Sequence, residues 1–299
     1  MLDQSLLYSF RMTAAERNLC VYGVHVYKKG EGCVEHRFRN DDFVNLYSAS
    51  KTFTSVGVGI CRDEGGLKLT DKVISFFPEY ESVAAKGTED ITLTDLLHMA
   101  SGKELAWTTP GEEDVAGAFF REPLSRRPGE HFFYSNFCTY MLGRVVEKVS
   151  GQKLRDYLIP RLFKPLDIFN PQWQSCPQGH TVAATGLFLH TSELARLGRT
   201  LLHKGEYEGK RIVSEDYVNL MHTDTVSSAH WTSDAESASG YGYQVWNCTK
   251  PGVYRADGMY GQFSIVIPDK DAVITLTSHR EYTANDIIRS SFTEILPLL

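Results

Sequence analysis

Ser48 and Lys51 stand three residues apart in Tyr47-Ser48-Ala49-Ser50-Lys51-Thr52-Phe53, at what reads as the start of a helix. One helical turn separates them, so both side chains can share a face. The first turn also offers unpaired N–H groups and a partial positive charge, which suit a developing oxyanion. A serine hydroxyl is a poor nucleophile until something takes its proton. A desolvated lysine with a lowered pKa can do that, or help another group do it. A second Ser-x-x-Lys, Ser150-Gly151-Gln152-Lys153, falls where Gly151 reads as a helix-ending glycine, and is a coincidence of composition.

Tyr134-Ser135-Asn136 supplies further candidates, at the entry to a helix starting near Phe137. Residues two apart in an extended segment point the same way, so Tyr134 and Asn136 can face one cavity. A phenol near a lysine can ionise more easily and act as a general base. An amide such as Asn136 can donate to a substrate carbonyl and hold the lysine. The competing reading is a core tyrosine and a helix-capping asparagine.

These segments must be held by the elements around them. Residues 20–27 alternate in polarity, Lys28 to Gly32 makes a turn and Cys33–Phe38 runs back, which predicts a β-hairpin. The Ser48 helix follows, with Val56 and Ile60 on a buried stripe, and ends at Gly65-Gly66. Residues 69–169 read as helical with loops. Thr92–Met99 is a short amphipathic helix, residues 101–131 a long irregular segment, and Phe137, Met141, Val145 and Val149 recur at helical spacing. Short runs at Tyr241–Asn247, Val253–Ala256, Gln262–Ile267 and Ala272–Ser278 read as strands, and Thr283–Leu296 as a last helix. Strands at both ends around a helical middle predict an α/β (α+β) domain of residues 1–60 and 175–299, with a mainly helical insertion of residues 61–174 and the site between them.

Composition removes several function classes. The 299-residue chain carries a net charge of −6, which gives nucleic acid no basic footprint. No apolar run approaches a membrane span. Met1-Leu2-Asp3-Gln4-Ser5 shows no export signal, so a cytoplasmic location is expected. The six cysteines lack metal-ligand spacing and read as buried or partly buried free thiols, and the ten histidines form no zinc pair. Neither a Gly-x-Ser-x-Gly elbow nor a Gly-x-x-x-x-Gly-Lys loop is present.

Ser48-Ala49-Ser50-Lys51 and Tyr134-Ser135-Asn136 resemble the first two motifs of class C β-lactamases and their penicillin-binding-protein-like serine esterase relatives. The resemblance covers most of the chain. It includes Ile91–Leu97 leading to Ser101-Gly102, Pro128-Gly129, Leu142-Gly143, and Gly186-Leu187 followed by Leu194–Gly198. It implies a β-lactamase/transpeptidase-like fold, an antiparallel sheet flanked by helices, and an acyl-enzyme on Ser48. In that scheme Tyr134, assisted by Lys51, takes the Ser48 proton and passes it to the leaving group. Asn136 orients substrate and lysine, and the N–H groups of Ser48 and Met259 form the oxyanion hole. No metal or organic cofactor is needed, and a small ester or amide is the expected partner. Tyr134 and Lys51 would titrate as a coupled pair, so either could be the acylation base.

The departures carry equal weight. The family's third motif, usually Lys-Thr-Gly or His-Thr-Gly, corresponds here to Ala256-Asp257-Gly258, followed by Met259-Tyr260-Gly261-Gln262. The base that would attract a substrate carboxylate is missing and an acid sits beside its position. That ending resembles the esterase and amide-oligomer hydrolase branch, with Gly258 letting backbone approach substrate. Asp257 could be salt-bridged or contact substrate. Where many relatives carry a histidine this chain has Met99, with His98 one place earlier; a capping or packing role is the commoner fate of such a histidine. Trp107, Arg121, Arg126 and Arg127 lie in the long segment, which borders the cleft by resemblance, and could read substrate or be solvated. A β-lactamase or D-alanyl-D-alanine peptidase and a non-catalytic scaffold with the same fold are the rival readings.

Overall fold

The computed structural model describes residues 2–106 and 112–299. Its organising element is a six-stranded antiparallel sheet. The hairpin of Val21–Lys28 and Gly32–Arg37 lies at one edge, followed in space by Ala272–Ser278, Gln262–Ile267, Tyr254–Gly258 and Trp246–Asn247. The first and last strands of the chain therefore pair directly. Val24 stands opposite Leu276 and Val26 opposite Ile274, a register that sends apolar side chains to one common face.

That face is covered by two terminal helices, Tyr8–Glu16 and Asn285–Glu294. Phe10, Ala14, Ile287, Ile288 and Phe292 pack there with Val24, Val26, Ile265, Ile274 and Leu276. The C-terminal helix is shorter than the expected Thr283–Leu296, because a separate 3-10 turn, Leu296–Leu298, follows it. The N-terminal helix escapes sequence reading because its apolar stripe is narrow, and Tyr8 and Met12 remain exposed on its other side. The opposite face of the sheet meets the helix Thr191–Leu202 at short range. A Cβ on Gly198 would lie 2.3 Å from Ser264 Oγ, so only glycine permits that approach.

The central helix, Ser50–Asp63, is buried along its length from Ser50 to Cys61 and packs against Asn136–Ser150. The latter ends at Gly151 in the left-handed conformation, as expected of a helix-terminating glycine. Leu93–Leu97 is capped by Thr92 in a reciprocal arrangement with Asp95. Within the expected irregular segment, residues 112–131 are more ordered than expected. Val115–Arg121 forms a helix there, its first turn capped by Asp114, with Val115, Phe119 and Phe120 buried. Tyr241–Asn247 yields a strand only at Trp246–Asn247. Gln244 adopts φ 61° and turns its amide inward onto the carbonyls of Leu96 and Leu97, which breaks the extended run. All six cysteines are free, but Cys20 and Cys33 are exposed rather than buried, being at the start of and within an edge hairpin. Among the described residues no helix is long and apolar enough to cross a membrane.

Candidate active site

Ser48 sits in a 3-10 turn, Tyr47–Ala49, that runs straight into the Ser50–Asp63 helix. Tyr47 has φ 46°, a left-handed conformation that a bulky side chain adopts only when its surroundings enforce it. Asn45 Oδ1 accepts the Tyr47 N–H at 2.9 Å, and the Tyr47 ring packs edge-on against Tyr260. Leu46 N–H donates to the Leu187 carbonyl, and Ser50 Oγ accepts from the Leu187 N–H at 3.3 Å, which fixes the turn against the segment that follows Ala184. The strained turn thus presents Ser48 partly exposed at the end of a buried helix.

Lys51 is 1% exposed. Its Nζ lies 3.0 Å from Ser48 Oγ, 2.7 Å from Asn136 Oδ1 and 2.8 Å from the Ala184 carbonyl. Burial disfavours its charged form and lowers its pKa to about 7, against a weaker opposing pull from Asp257. The partners then decide where the protons go. A carbonyl oxygen and an amide oxygen can only accept, so they take the two hydrogens of the neutral amine. The remaining lone pair faces Ser48, whose O–H must donate to it.

Tyr134 lies in the extended stretch just before Asn136, the first residue of the Asn136–Ser150 helix. The Lys51 Nζ is 5.0 Å from the Tyr134 ring centroid, and the Ser48 hydroxyl is the hydrogen-bonding partner of the phenol. Proximity to the lysine does not ease ionisation here. Burial among Phe132, Trp231, Tyr241 and Trp246 pushes the phenol far up, so Tyr134 stays protonated at neutral pH. The spacing of Tyr134 and Asn136 brings both beside Lys51, whose uncharged form burial favours.

The end of the Tyr254–Gly258 strand forms the opposite wall. A Cβ on Gly258 would lie 2.1 Å from the Leu46 carbonyl and 3.1 Å from the Ala49 nitrogen. The glycine therefore admits the serine turn itself at close range. Ser48 lies in a first turn, whose N–H groups have no intrahelical acceptor. The Met259 N–H donates to no backbone carbonyl among the described residues. Met259 is 46% exposed at the rim.

Asp257 proves to be both salt-bridged and cleft-facing. Arg255 Nε donates to its Oδ2 at 2.8 Å, while the carboxylate lines a cavity of about 270 Å³ with Ser48, Tyr134, Trp231 and Trp246. Arg255 is wholly buried and anchored by the carbonyls of Glu236 and Asn247. Burial raises the Asp257 pKa and Arg255 pulls it back down. Sequence reasoning missed Arg255, although two residues apart on a strand means the same face. A second, mainly apolar cavity lies beyond Asn136, lined by Val115, Phe137, Tyr140, Val182 and Ala184.

The other candidates lie elsewhere. His98 donates through Nε2 to the Asp224 carbonyl, 2.8 Å away, and packs on Tyr243, a structural role. Met99 Sδ accepts the Ser135 N–H at 3.4 Å, which steadies the Tyr134 segment from below. Arg121 pairs with Asp114, while Arg126 and Arg127 line a separate surface groove with Asp90, Asp95 and Glu130. Trp107 lies outside the described residues.

An antiparallel sheet flanked by helices, with a buried lysine beneath a serine at a helix start, is the architecture of β-lactamase/transpeptidase-like serine hydrolases. The beta-lactamase family model matches residues 21–292, and the chain belongs to that family. It is 24% identical over 311 aligned residues to an Escherichia coli (strain K12) protein named "Putative D-alanyl-D-alanine carboxypeptidase", covering 80% of this chain and 69% of that one. Among solved structures, the "Putative 6-aminohexanoate-dimer hydrolase from Bacillus anthracis" superposes with a TM-score of 0.80 at 18% identity, covering 96% of this chain and 81% of that chain. The octameric penicillin-binding protein homologue from Pyrococcus abyssi does so with a TM-score of 0.77 at 22% identity, covering 99% and 78%.

Proposed function

We propose that this protein is a serine hydrolase that cleaves a small ester or amide through an acyl-enzyme on Ser48. The observation that carries the reading is the neutral-lysine geometry. Asn136 Oδ1 and the Ala184 carbonyl consume two Lys51 hydrogens, so the free lone pair is aimed at Ser48 Oγ 3.0 Å away. Lys51 takes the Ser48 proton as Oγ attacks the carbonyl carbon. The N–H groups of Ser48 and Met259 receive the developing oxyanion. As the carbon–heteroatom bond breaks, Tyr134 hands its proton to the departing alcohol or amine and is reprotonated from Lys51. Water then attacks the acyl carbon by the reverse relay and releases the acid. The apolar cavity beyond Asn136 gives room for an acyl chain.

The E. coli relative's name suggests a peptidase for a substrate ending in a carboxylate. The cavity beside Ser48 is lined by the Asp257 carboxylate and, with Lys51 buried behind Ser48, its lining holds no lysine or arginine among the described residues, which favours a substrate without a terminal carboxylate. Six free cysteines fit a reducing compartment such as the cytoplasm.

Turnover of p-nitrophenyl acetate, with mass spectrometry of the quenched enzyme, tests the reading. The expected result is an acetyl group on Ser48, with both the adduct and turnover lost in Ser48→Ala. Full turnover by Ser48→Ala would refute it. The pH dependence of acylation follows from the lysine. Its free-base fraction falls about tenfold per pH unit below its pKa, so kcat/KM should rise with pH through about 7 and then level. A rate that stays flat from pH 5 to 8 would remove Lys51 as the base.

A further inference from the structure

The cavity beside Ser48 is lined by the Asp257 carboxylate and by aromatic side chains, with no lysine or arginine in its lining among the described residues. We infer that it binds a cationic leaving group, so that the substrate is an ester or amide of an alcohol or amine bearing a protonated or quaternary ammonium. This rests on the Ser48 acyl-enzyme reading and names the substrate class for it.

Three observations converge. The first is the carboxylate. Arg255 occupies only Oδ2 of Asp257 and does so from the fully buried side. Oδ1 takes no hydrogen bond among the described residues, and the side chain keeps 21% exposure in a cavity it lines. The second is the aromatic wall. Tyr134 and Trp246 stack with centroids 5.5 Å apart, with Lys51 Nζ over the Tyr134 ring and the Arg255 guanidinium over Trp246, so the exposed ring of the wall is Trp231, 6.5 Å from Tyr134. Ring faces around a carboxylate attract an ammonium through their quadrupoles, and a desolvated cation gains most.

The third observation is the surrounding charge. Asn285 donates through Nδ2 to Asp234 Oδ1 and Ser237 Oγ, so both of its amide hydrogens are already taken. Asp234 is matched by Arg289, and Glu236 accepts from Thr249 N–H and Oγ1. With Lys51 neutral, the carboxylates of Asp234, Glu236 and Asp257 outnumber the guanidiniums of Arg255 and Arg289. A cation entering here also disfavours proton uptake by Lys51, which keeps the base free.

The leaving group belongs on this side because Tyr134, the proton donor to it, forms the wall. In the reaction the carbonyl carbon–heteroatom bond breaks, and the ammonium-bearing alcohol or amine departs with the proton that Ser48 gave up. Its charge is unchanged throughout, so the cavity holds it equally before and after cleavage.

Two organophosphonates test this, identical except that one carries thiocholine as leaving group and the other its neutral 3,3-dimethylbutanethiol isostere. Each phosphonylates an activated serine as the P–S bond breaks, and the adduct on Ser48 is read by mass spectrometry. With each rate divided by that compound's own rate of alkaline hydrolysis, which removes the difference in thiol acidity, the cationic compound should label Ser48 at least tenfold faster, and Asp257→Asn should bring the ratio of the two corrected rates close to one. Because that variant leaves Arg255 buried opposite an amide, Trp231→Leu, at a residue 40% exposed, provides a second reading of the same ratio, which should also fall. Equal labelling, or faster labelling by the neutral compound, overturns the inference while the serine nucleophile stands. Labelling by neither compound overturns both.

Discussion

Lys51→Met will lower kcat/KM for a short p-nitrophenyl ester by about a thousandfold or more, the scale expected when a general base is removed from an acyl transfer. Methionine fills a similar volume but has no lone pair that can take the Ser48 proton. Its cost to the fold should be small. Asn136 Oδ1 and the Ala184 carbonyl lose their donor, at about 1–3 kcal/mol each if left unsatisfied. Against that, the fold no longer has to bury an amine whose charged form it disfavours. A melting temperature close to wild type together with a collapsed rate is the expected pair of results. A rate within tenfold of wild type would mean that Tyr134, not Lys51, starts the reaction.

Gly258→Ala should be nearly as damaging, for a reason of space rather than chemistry. The new Cβ would sit 2.1 Å from the Leu46 carbonyl and 3.0 Å from Gln262 Cβ, and a carbonyl of the serine turn has no other place to go. The turn and the strand end must move apart, which carries the N–H groups of Ser48 and Met259 away from a common oxygen. Losing one oxyanion donor costs about a hundredfold to a thousandfold in kcat. The strain should also remove about 1–3 kcal/mol of stability, visible in the denaturant midpoint. A folded Gly258→Ala protein that acylates at the wild-type rate would show that these two backbones do not act together.

The parts of the site legible in the sequence are those set by local geometry. Ser48 and Lys51 could be paired because one helical turn fixes their separation, and the structure puts them 3.0 Å apart. Tyr134 and Asn136 could be joined because extended chain sends alternate residues the same way. The second acceptor on Lys51 is a backbone carbonyl, Ala184, which leaves no mark in a sequence. Yet that carbonyl completes the set that leaves the lone pair to Ser48. The upward push on the Tyr134 phenol is hidden from the sequence for a related reason. The nearby lysine was visible, but the rings of Trp231, Tyr241 and Trp246 that desolvate the phenol come from a distant stretch of chain.

The fold divides in the same way. Hairpin, central helix and C-terminal strands follow from alternation and 3.6-residue spacing. The expected strand at Tyr241–Asn247 is cut short because Gln244 takes a left-handed backbone, φ 61°, and sends its side-chain amide onto the Leu96 and Leu97 carbonyls. Asp257 shows the limit most clearly. Its charge is plain in the sequence, but Arg255 behind it and the open Oδ1 in front are facts of three dimensions.

The most direct test of an activated serine is to incubate the protein with a fluorophosphonate probe and map the adduct by mass spectrometry, with Ser48→Ala alongside. Labelling confined to Ser48 and absent from Ser48→Ala is the expected result. A protein that remains unlabelled, or that is labelled equally after Ser48→Ala, would contradict the assignment of Ser48 as the nucleophile.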